Sequence, residues 1–155
     1  MADIVSNETL DDLNGRFLTF YIGNVVYGIE LLHVIEIISI QSITKVPNLP
    51  EYLKGIINLR GKIVPVIDVR LKFKQEERAY DDKTCIIVTV IDDMHIGLIV
   101  DSVSEVASVD AGELVAPPDF GNADSDKYLK SISKVGEKII LNINCNKFFL
   151  NDLKA

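Results

Sequence analysis

The chain has no tryptophan and only two cysteines, two histidines and two methionines among its 155 residues. This thin stock of reactive side chains narrows the chemistry it can support. Cys85 and Cys145 stand far apart, each beside an apolar run, and neither completes a four-ligand metal set. They read as reduced, buried thiols acting as small hydrophobes. Positive charge is also short: 16 basic against 23 acidic side chains leave a net charge of −7. Such a surface repels phosphate backbones and anionic lipid unless the basic residues gather on one face, so nucleic acid is not an expected partner. No apolar run approaches the ~20 residues that cross a bilayer. Met1–Leu13 (MADIVSNETLDDL) lacks the basic start and apolar stretch of a secretory signal. The Asn7-Glu8-Thr9 acceptor pattern therefore carries no meaning without export. The expectation is a cytoplasmic protein with no direct membrane insertion.

What is plentiful is short apolar segments rich in Val, Ile, Thr, Phe and Tyr, separated by turn residues, the pattern of a sandwich or barrel. Phe17–Ile22 and Val25–Ile29 flank Gly23-Asn24; Ile56–Leu59 and Lys62–Ile67 flank Arg60-Gly61. Thr84–Ile91 and Met94–Val100 flank Asp92-Asp93, and Ser131–Val135 and Lys138–Ile143 flank Gly136-Glu137. Four hairpins are thus predicted, and the chain is mainly β. Helices are few and short. Pro50–Gly55 is read as a single helical turn with Pro at its start and Gly at its end, Asp68 as the cap of a turn through Phe73, and Asn146–Leu153 as a closing helix with Phe149 and Leu150 inward. Lys74–Lys83 is a charged connection and Ala116–Asp126 an irregular loop.

The segments also repeat. Phe17–Ile37 lies ungapped on Ile86–Val106, matching Ile22 with Ile91, Gly28 with Gly97, Val34 with Val103 and Glu36 with Glu105. Lys62-Ile63-Val64 likewise falls on Lys138-Ile139-Ile140. Two similar β units in tandem would give this pattern; two unrelated amphipathic hairpins would align about as well, so duplication stays open. Two small barrels side by side would leave a groove between them, a favoured place for binding.

Catalytic motifs are weak. Gly55–Lys62 resembles a phosphate loop only faintly, with five residues between the glycines and Ile63 in place of the hydroxyl that holds magnesium. His95 with Asp92 and Asp93, and His33 with Glu30 and Glu36, lack metal-ligand spacing. No GxSxG elbow is present, and Ser102, Ser104 and Ser108 have no positioned His beside them. Phe17, Phe20 and Tyr21 are explained by core packing rather than by base stacking. No metal, no cofactor and no enzymatic activity are expected. A binding barrel for a small ligand or oligonucleotide remains the alternative, which a clustered basic stripe would favour.

The informative stretches are apolar runs broken by one or two charges. In Glu30–Ile40 (ELLHVIEIISI), an extended chain puts Ile35 and Ile37 on one face, Val34 and Glu36 on the other. In Ile56–Gly61 (IINLRG), Ile57 and Leu59 share one side, Asn58 and Arg60 the opposite one. Glu36 and Arg60 are either ordinary solvent-facing charges or parts of an interface, and alternation alone does not choose.

These stretches, "YGIELLHVIEI", "KVPNLPEYLKGIINLRGKIVPVIDVRLKF" and "HIGLIVDSVSEV", resemble the successive signature blocks of CheW coupling proteins, in order, from about Arg16 to Phe149. The resemblance implies two SH3-like five-stranded β-barrels packed side by side with a few short helices. The domain would span residues 14–150, with lobes near 15–80 and 83–150 and strand exchange between them left open, after a tail at 1–13. It further implies a non-enzymatic adaptor in chemotaxis. One surface would meet the regulatory domain of the histidine kinase CheA; another would meet the cytoplasmic tip of methyl-accepting chemotaxis receptors. Carried over by position, the receptor-binding residues are Val34, Glu36, Gly55, Arg60, Gly97 and Val106, and the kinase-binding residues Ile43, Thr44 and Val46. A receiver-linked relative would need a further domain, and a detached kinase regulatory domain is the other reading within this fold. Gly55, Gly61 and Gly97 would permit sharp turns or close approach of a partner backbone.

Overall fold

A computed structural model describes residues 15–116 and 128–153. The chain forms β1 (Arg16–Ile22), β2 (Val25–Glu30), β3 (Val34–Ser39), β4 (Leu53–Leu59), β5 (Lys62–Asp68), α1 (Val69–Lys72), β6 (Cys85–Ile91), β7 (Met94–Val100), β8 (Ser102–Ser108), β9 (Leu114–Val115), β10 (Leu129–Val135), β11 (Lys138–Ile143) and α2 (Cys145–Leu153). All four predicted hairpins are present, each closed by a two-residue turn. Their turn residues explain why. Arg60-Gly61 and Asp92-Asp93 both take positive φ, as the mirror-image turn that matches strand twist requires. In the other two turns Gly23 and Gly136 supply the positive φ.

The strands make two sheets in the orders β8-β1-β2-β11-β10-β9 and β3-β6-β7-β5-β4. Each curls into a barrel and is closed in the same way, by the chain that leaves its first edge strand. After β3, Thr44 bridges Ile56 on β4 through backbone bonds of 2.9 and 3.0 Å; after β8, β9 pairs with β10. We call them the β6 barrel and the β1 barrel. The repeat seen in sequence maps element for element: β1-β2-β3 corresponds to β6-β7-β8, and β4-β5 to β10-β11. The halves trade strands. β1-β2 from the first half pair with β8 and β11 from the second, while β6-β7 pair with β3 and β5. Of these four joins between halves, β2 with β11 and β5 with β7 are parallel, while β1 with β8 and β3 with β6 are antiparallel.

This exchange buries the central strands on both faces. Leu18, Phe20, Ile22 and Ile29 of the β1 barrel and Ile87, Ile91, Ile96 and Leu98 of the β6 barrel share one core, which runs through the seam between the barrels. The opposite face of β6 and its neighbours fills the β6 barrel with Ile86, Val88, Val64, Val66, Ile57 and Ile99. Helix α2 adds Phe148 and Phe149 to the seam core, and Phe73, Tyr128 and Phe148 pack there with ring centroids 5.3–6.0 Å apart. The seam is therefore a filled core rather than the open groove expected from two abutting barrels.

The helix expectations divide. Asp68 does cap α1, its carboxylate accepting from the Leu71 N–H at 3.2 Å. The closing helix exists, with Phe149 buried. Pro50–Gly55, in contrast, is not helical. One bond from the Leu53 N–H to the Pro50 carbonyl makes a turn, and Leu53 already begins β4. An isolated turn here would have to meet its nucleation cost alone, whereas Leu53–Gly55 gain a ladder against β5. Met1–Leu13 and, but for Ala116, the loop Ala116–Asp126 lie outside the described residues.

One charged residue sits inside the seam. Lys72 of α1 is 6 % exposed, its ammonium 4.1 Å from the Tyr52 ring centroid, 5.2 Å from Tyr128 and 5.7 Å from Phe148. These rings come from the approaches to β4 and β10 and from α2, so the cation ties elements of both barrels together. Lys72→Met keeps the apolar stem and removes the charge; it is expected to lower stability by about 1–2 kcal/mol in urea unfolding. An unchanged midpoint would show that the stem alone matters.

Candidate functional site

The charges that alternation left undecided meet each other. β3 carries a bulge against β6: Val34 opposes Thr89, but Glu36 opposes Val88, so Ile35 is the extra residue. The bulge overturns the expected facing of β3. Val34 and Ile37 pack into the seam core, while Ile35 and Ile38 pack on the core of the β6 barrel. It also leaves Glu36 only 4 % exposed. A buried carboxylate requires a charged or hydrogen-bonding partner, and the β4–β5 turn provides one: an Arg60 Nη2 donates to Glu36 Oε1. The Arg60 side chain itself is 69 % exposed, so the pair holds a guanidinium at the surface from an anchored base.

The turn is built for this. Asn58 points outward from β4 while Ile57 and Leu59 face the barrel interior, as the alternation predicted. Asn58 Oδ1 accepts from the Gly61 N–H at 2.8 Å and locks the turn. Arg60 takes φ 51°, a conformation more costly for Arg than for Gly or Asn. A residue kept in strained backbone where a cheaper one would serve points to a role for its side chain.

The remaining predicted positions fall into two groups. Val34, Gly55 and Gly97 are interior. A Cβ on Gly97 would stand 2.8 Å from both Ile86 Cγ2 and Val66 Cγ1. Gly55, at φ 145°, is approached by the Thr44 carbonyl of the closing bridge. The close approaches that Gly55 and Gly97 make are to other parts of this chain, while Gly61 serves the turn at φ 87°. Val106, half-buried on β8 opposite Leu18, belongs to the other sheet but packs on the same seam core as Val34. The structure thus gathers Val34, Glu36, Gly55, Arg60 and Gly97 on the β6 barrel and reaches Val106 only through the seam. Ile43, Thr44 and Val46 lie on the segment that closes the β6 barrel; Ile43 packs inward, and Thr44 and Val46 are exposed.

Sequence reasoning missed one cluster. Asp101, just after β7, accepts from the Gly23 N–H at 2.7 Å, from Arg70 of α1 at 2.5 Å and from Arg78 at 3.1 Å. One carboxylate joins the β1–β2 turn, α1 and the charged connection. The signal was available: in the repeat Asp101 stands against Leu32, a charge where the other copy is apolar. Burial pushes the Asp101 carboxyl up, but the Arg70 hydrogen bond, the Gly23 amide and the charges of Arg70 and Arg78 outweigh it and hold the group below its ordinary value. Its contribution is complete above the unfolded value of about 4 and is lost as pH falls through the lower folded value. Asp101→Asn is expected to cost about 2 kcal/mol at pH 7 and to flatten the stability profile below about pH 4. Urea unfolding across pH checks this, and an unaltered acid limb would remove the assignment.

Nothing in the arrangement suggests catalysis. Burial raises the Cys85 thiol and pushes Cys145 up to about 12, which leaves both unreactive near neutrality. His95 faces Lys62 rather than a carboxylate pair, Nε2 to Nζ at 3.4 Å. Among the described residues no three His, Cys, Asp or Glu side chains converge as a metal site, and no helix is long and apolar enough to cross a membrane.

Comparison with known proteins agrees with this picture of a surface-acting module. The model of the CheW-like domain matches residues 16–152. The chain is 35% identical to the chemotaxis protein CheW of Klebsiella aerogenes, covering 97% of this chain and 91% of that one. It is 31% identical to the CheW protein of Bacillus subtilis, covering 84% of each. The crystal structure of the scaffolding protein TtCheW from Thermoanaerobacter tengcongensis superposes with a TM-score of 0.82 at 34% identity, covering 91% of this chain and 97% of the other. The chain therefore belongs to the CheW-like family and is a scaffold adaptor of chemotaxis, not an enzyme.

Proposed function

We propose that this chain couples methyl-accepting chemotaxis receptors to the histidine kinase CheA, working in the cytoplasm and recruited to receptor arrays at the membrane. The observation that carries the reading is the Glu36–Arg60 pair, a buried carboxylate that aims an exposed guanidinium out of a strained turn. Arg has the planar fork that grips carboxylate or carbonyl oxygens, and a receptor tip made of helices offers both along an otherwise apolar ridge. In this reading Glu36 orients Arg60, and Arg60 makes the contact. Val34, Gly55 and Gly97 act from inside by fixing the barrel that carries the pair, and Val106 links that barrel through the seam to β8. The exposed Thr44 and Val46, with Ile43 beneath them, are the surface offered to the regulatory domain of CheA. Individual contacts need only modest affinity, because an array presents many copies together.

The test is a pull-down of the full chain with full-length CheA and a soluble receptor fragment, paired with a kinase assay in receptor-containing membranes. Retention of both partners and kinase stimulation that depends on this chain are expected. Binding to neither partner, or kinase output equal with and without the chain, would overturn the proposal.

A further inference from the structure

The internal repeat lets one barrel serve as the control for the other, and their interiors differ in kind. The β6 barrel is filled by Val88, Val66 and Ile57. The corresponding places in the β1 barrel hold Thr19, Asn142 and Ser133, each fully buried. Aliphatic groups have been replaced by hydroxyls and an amide at three positions facing one interior.

One of these polar groups, Asn142, is only partly satisfied. Asn142 Nδ2 donates to Ser131 Oγ at 3.0 Å and to Ser133 Oγ at 2.6 Å. Its Oδ1 is buried and meets no hydrogen-bond partner among the described residues; it lies over Gly28, where a Cβ would stand 2.6 Å away. Thr19 Oγ1 donates to the Glu105 carbonyl at 2.7 Å and accepts from the Glu105 N–H at 3.1 Å. That hydroxyl fills the place where the β1–β8 register slips, between Leu18 and Phe20, so a side chain does the work of a ladder bond. The β8 edge held this way is also half-exposed, whereas its counterpart β3 is largely buried.

From this asymmetry we propose that the β1 barrel is the half that opens, as a sub-global unit comprising β8, β10 and β11 with the side chains they lend to the seam, Val106 and Ile143 among them, while the β6 barrel stays closed. The β6 barrel gains dry aliphatic packing, which is lost on opening; the β1 barrel gives up less, because its buried hydroxyls and amide are hydrated when exposed and the orphan Asn142 oxygen finds a partner in water. Opening would leave the Glu36–Arg60 pair untouched and loosen the strand that carries Val106. The device thus allows one barrel to adjust its surface while the other holds its geometry.

Hydrogen exchange on the full chain tests this directly, with repeat-equivalent segments compared inside one molecule. Residues 129–143 are expected to exchange faster than residues 53–68, and β8 faster than β3, by about tenfold or more. Asn142→Val with Ser133→Ala removes the amide and a hydroxyl and puts the β6 residue at the first position, and Val66 over Gly97 shows that a valine fits above a glycine in this geometry. This variant is expected to slow exchange across 129–143 and leave 53–68 unchanged. Equal protection of the two hairpins in the wild-type chain would overturn the proposal whether or not the variant folds. So would a variant that slows exchange in both barrels alike.

Discussion

Gly55→Ala is expected to destabilise the chain by about 4 kcal/mol, from strained backbone and a steric clash acting together. Gly55 takes φ 145°, outside the range of an alanine, and an added Cβ would run into the Thr44 carbonyl oxygen. That oxygen accepts from the Ile56 N–H at 3.0 Å, in the bridge that closes the β6 barrel. The backbone cannot yield without breaking the bridge, and Ile43 on the same segment would lose its packing on the core. Urea unfolding measures the loss, and a midpoint displaced by less than about 1 kcal/mol would mean that the closing segment is dispensable. Because this segment also carries Thr44 and Val46, weakened CheA binding should accompany the loss, through disordered geometry rather than through a missing contact.

Arg60→Ala is expected to weaken receptor binding by about 2–3 kcal/mol, roughly thirty- to a hundredfold, and to abolish receptor-dependent kinase stimulation. It also leaves the Glu36 carboxylate buried without its partner, at a cost to stability of about 1–2 kcal/mol after allowing for the exposure of Arg60. A solvent-facing hairpin charge would have cost almost nothing, so this figure separates the paired arrangement from the bland one. Arg60→Gly adds a second handle. It relieves the positive φ by about 1 kcal/mol and so offsets most of the stability loss, yet it removes the guanidinium equally. Both variants should lose coupling although they differ in stability. Wild-type receptor affinity in a folded Arg60→Gly chain would contradict the assigned role of Arg60.

The residues differ in how far their sequence context revealed them. The hairpin turns could be read directly, because Gly and Asp at two-residue junctions between β-branched runs leave few alternatives. The repeat could be read too, since matched apolar positions reflect matched burial. β3 could not: its alternation was interrupted by a bulge at Ile35, and only pairing with β6 reveals which residue is extra. Nor could the turn at Pro50–Gly55, where a partner strand outweighs a local preference. The candidate site was half visible. Glu36 and Arg60 stood out as charges within apolar runs, but they lie 24 residues apart and their meeting depends on how β3 and the β4–β5 hairpin curl together. Asp101 and Lys72 stayed hidden because their partners come from elements distant in the chain.

By itself the sequence determined the class of fold, the number of hairpins, their internal likeness and the absence of recognised catalytic motifs, because these follow from local pattern and composition. Only the tertiary structure decided that the halves exchange strands, that Glu36 is buried under Arg60, and that one barrel has an aliphatic interior while the other buries Thr19, Ser133 and Asn142 among its apolar side chains. Those outcomes rest on which strands pair and which faces meet. Such long-range contacts are set by the collective burial of the whole chain, and no local segment encodes them alone.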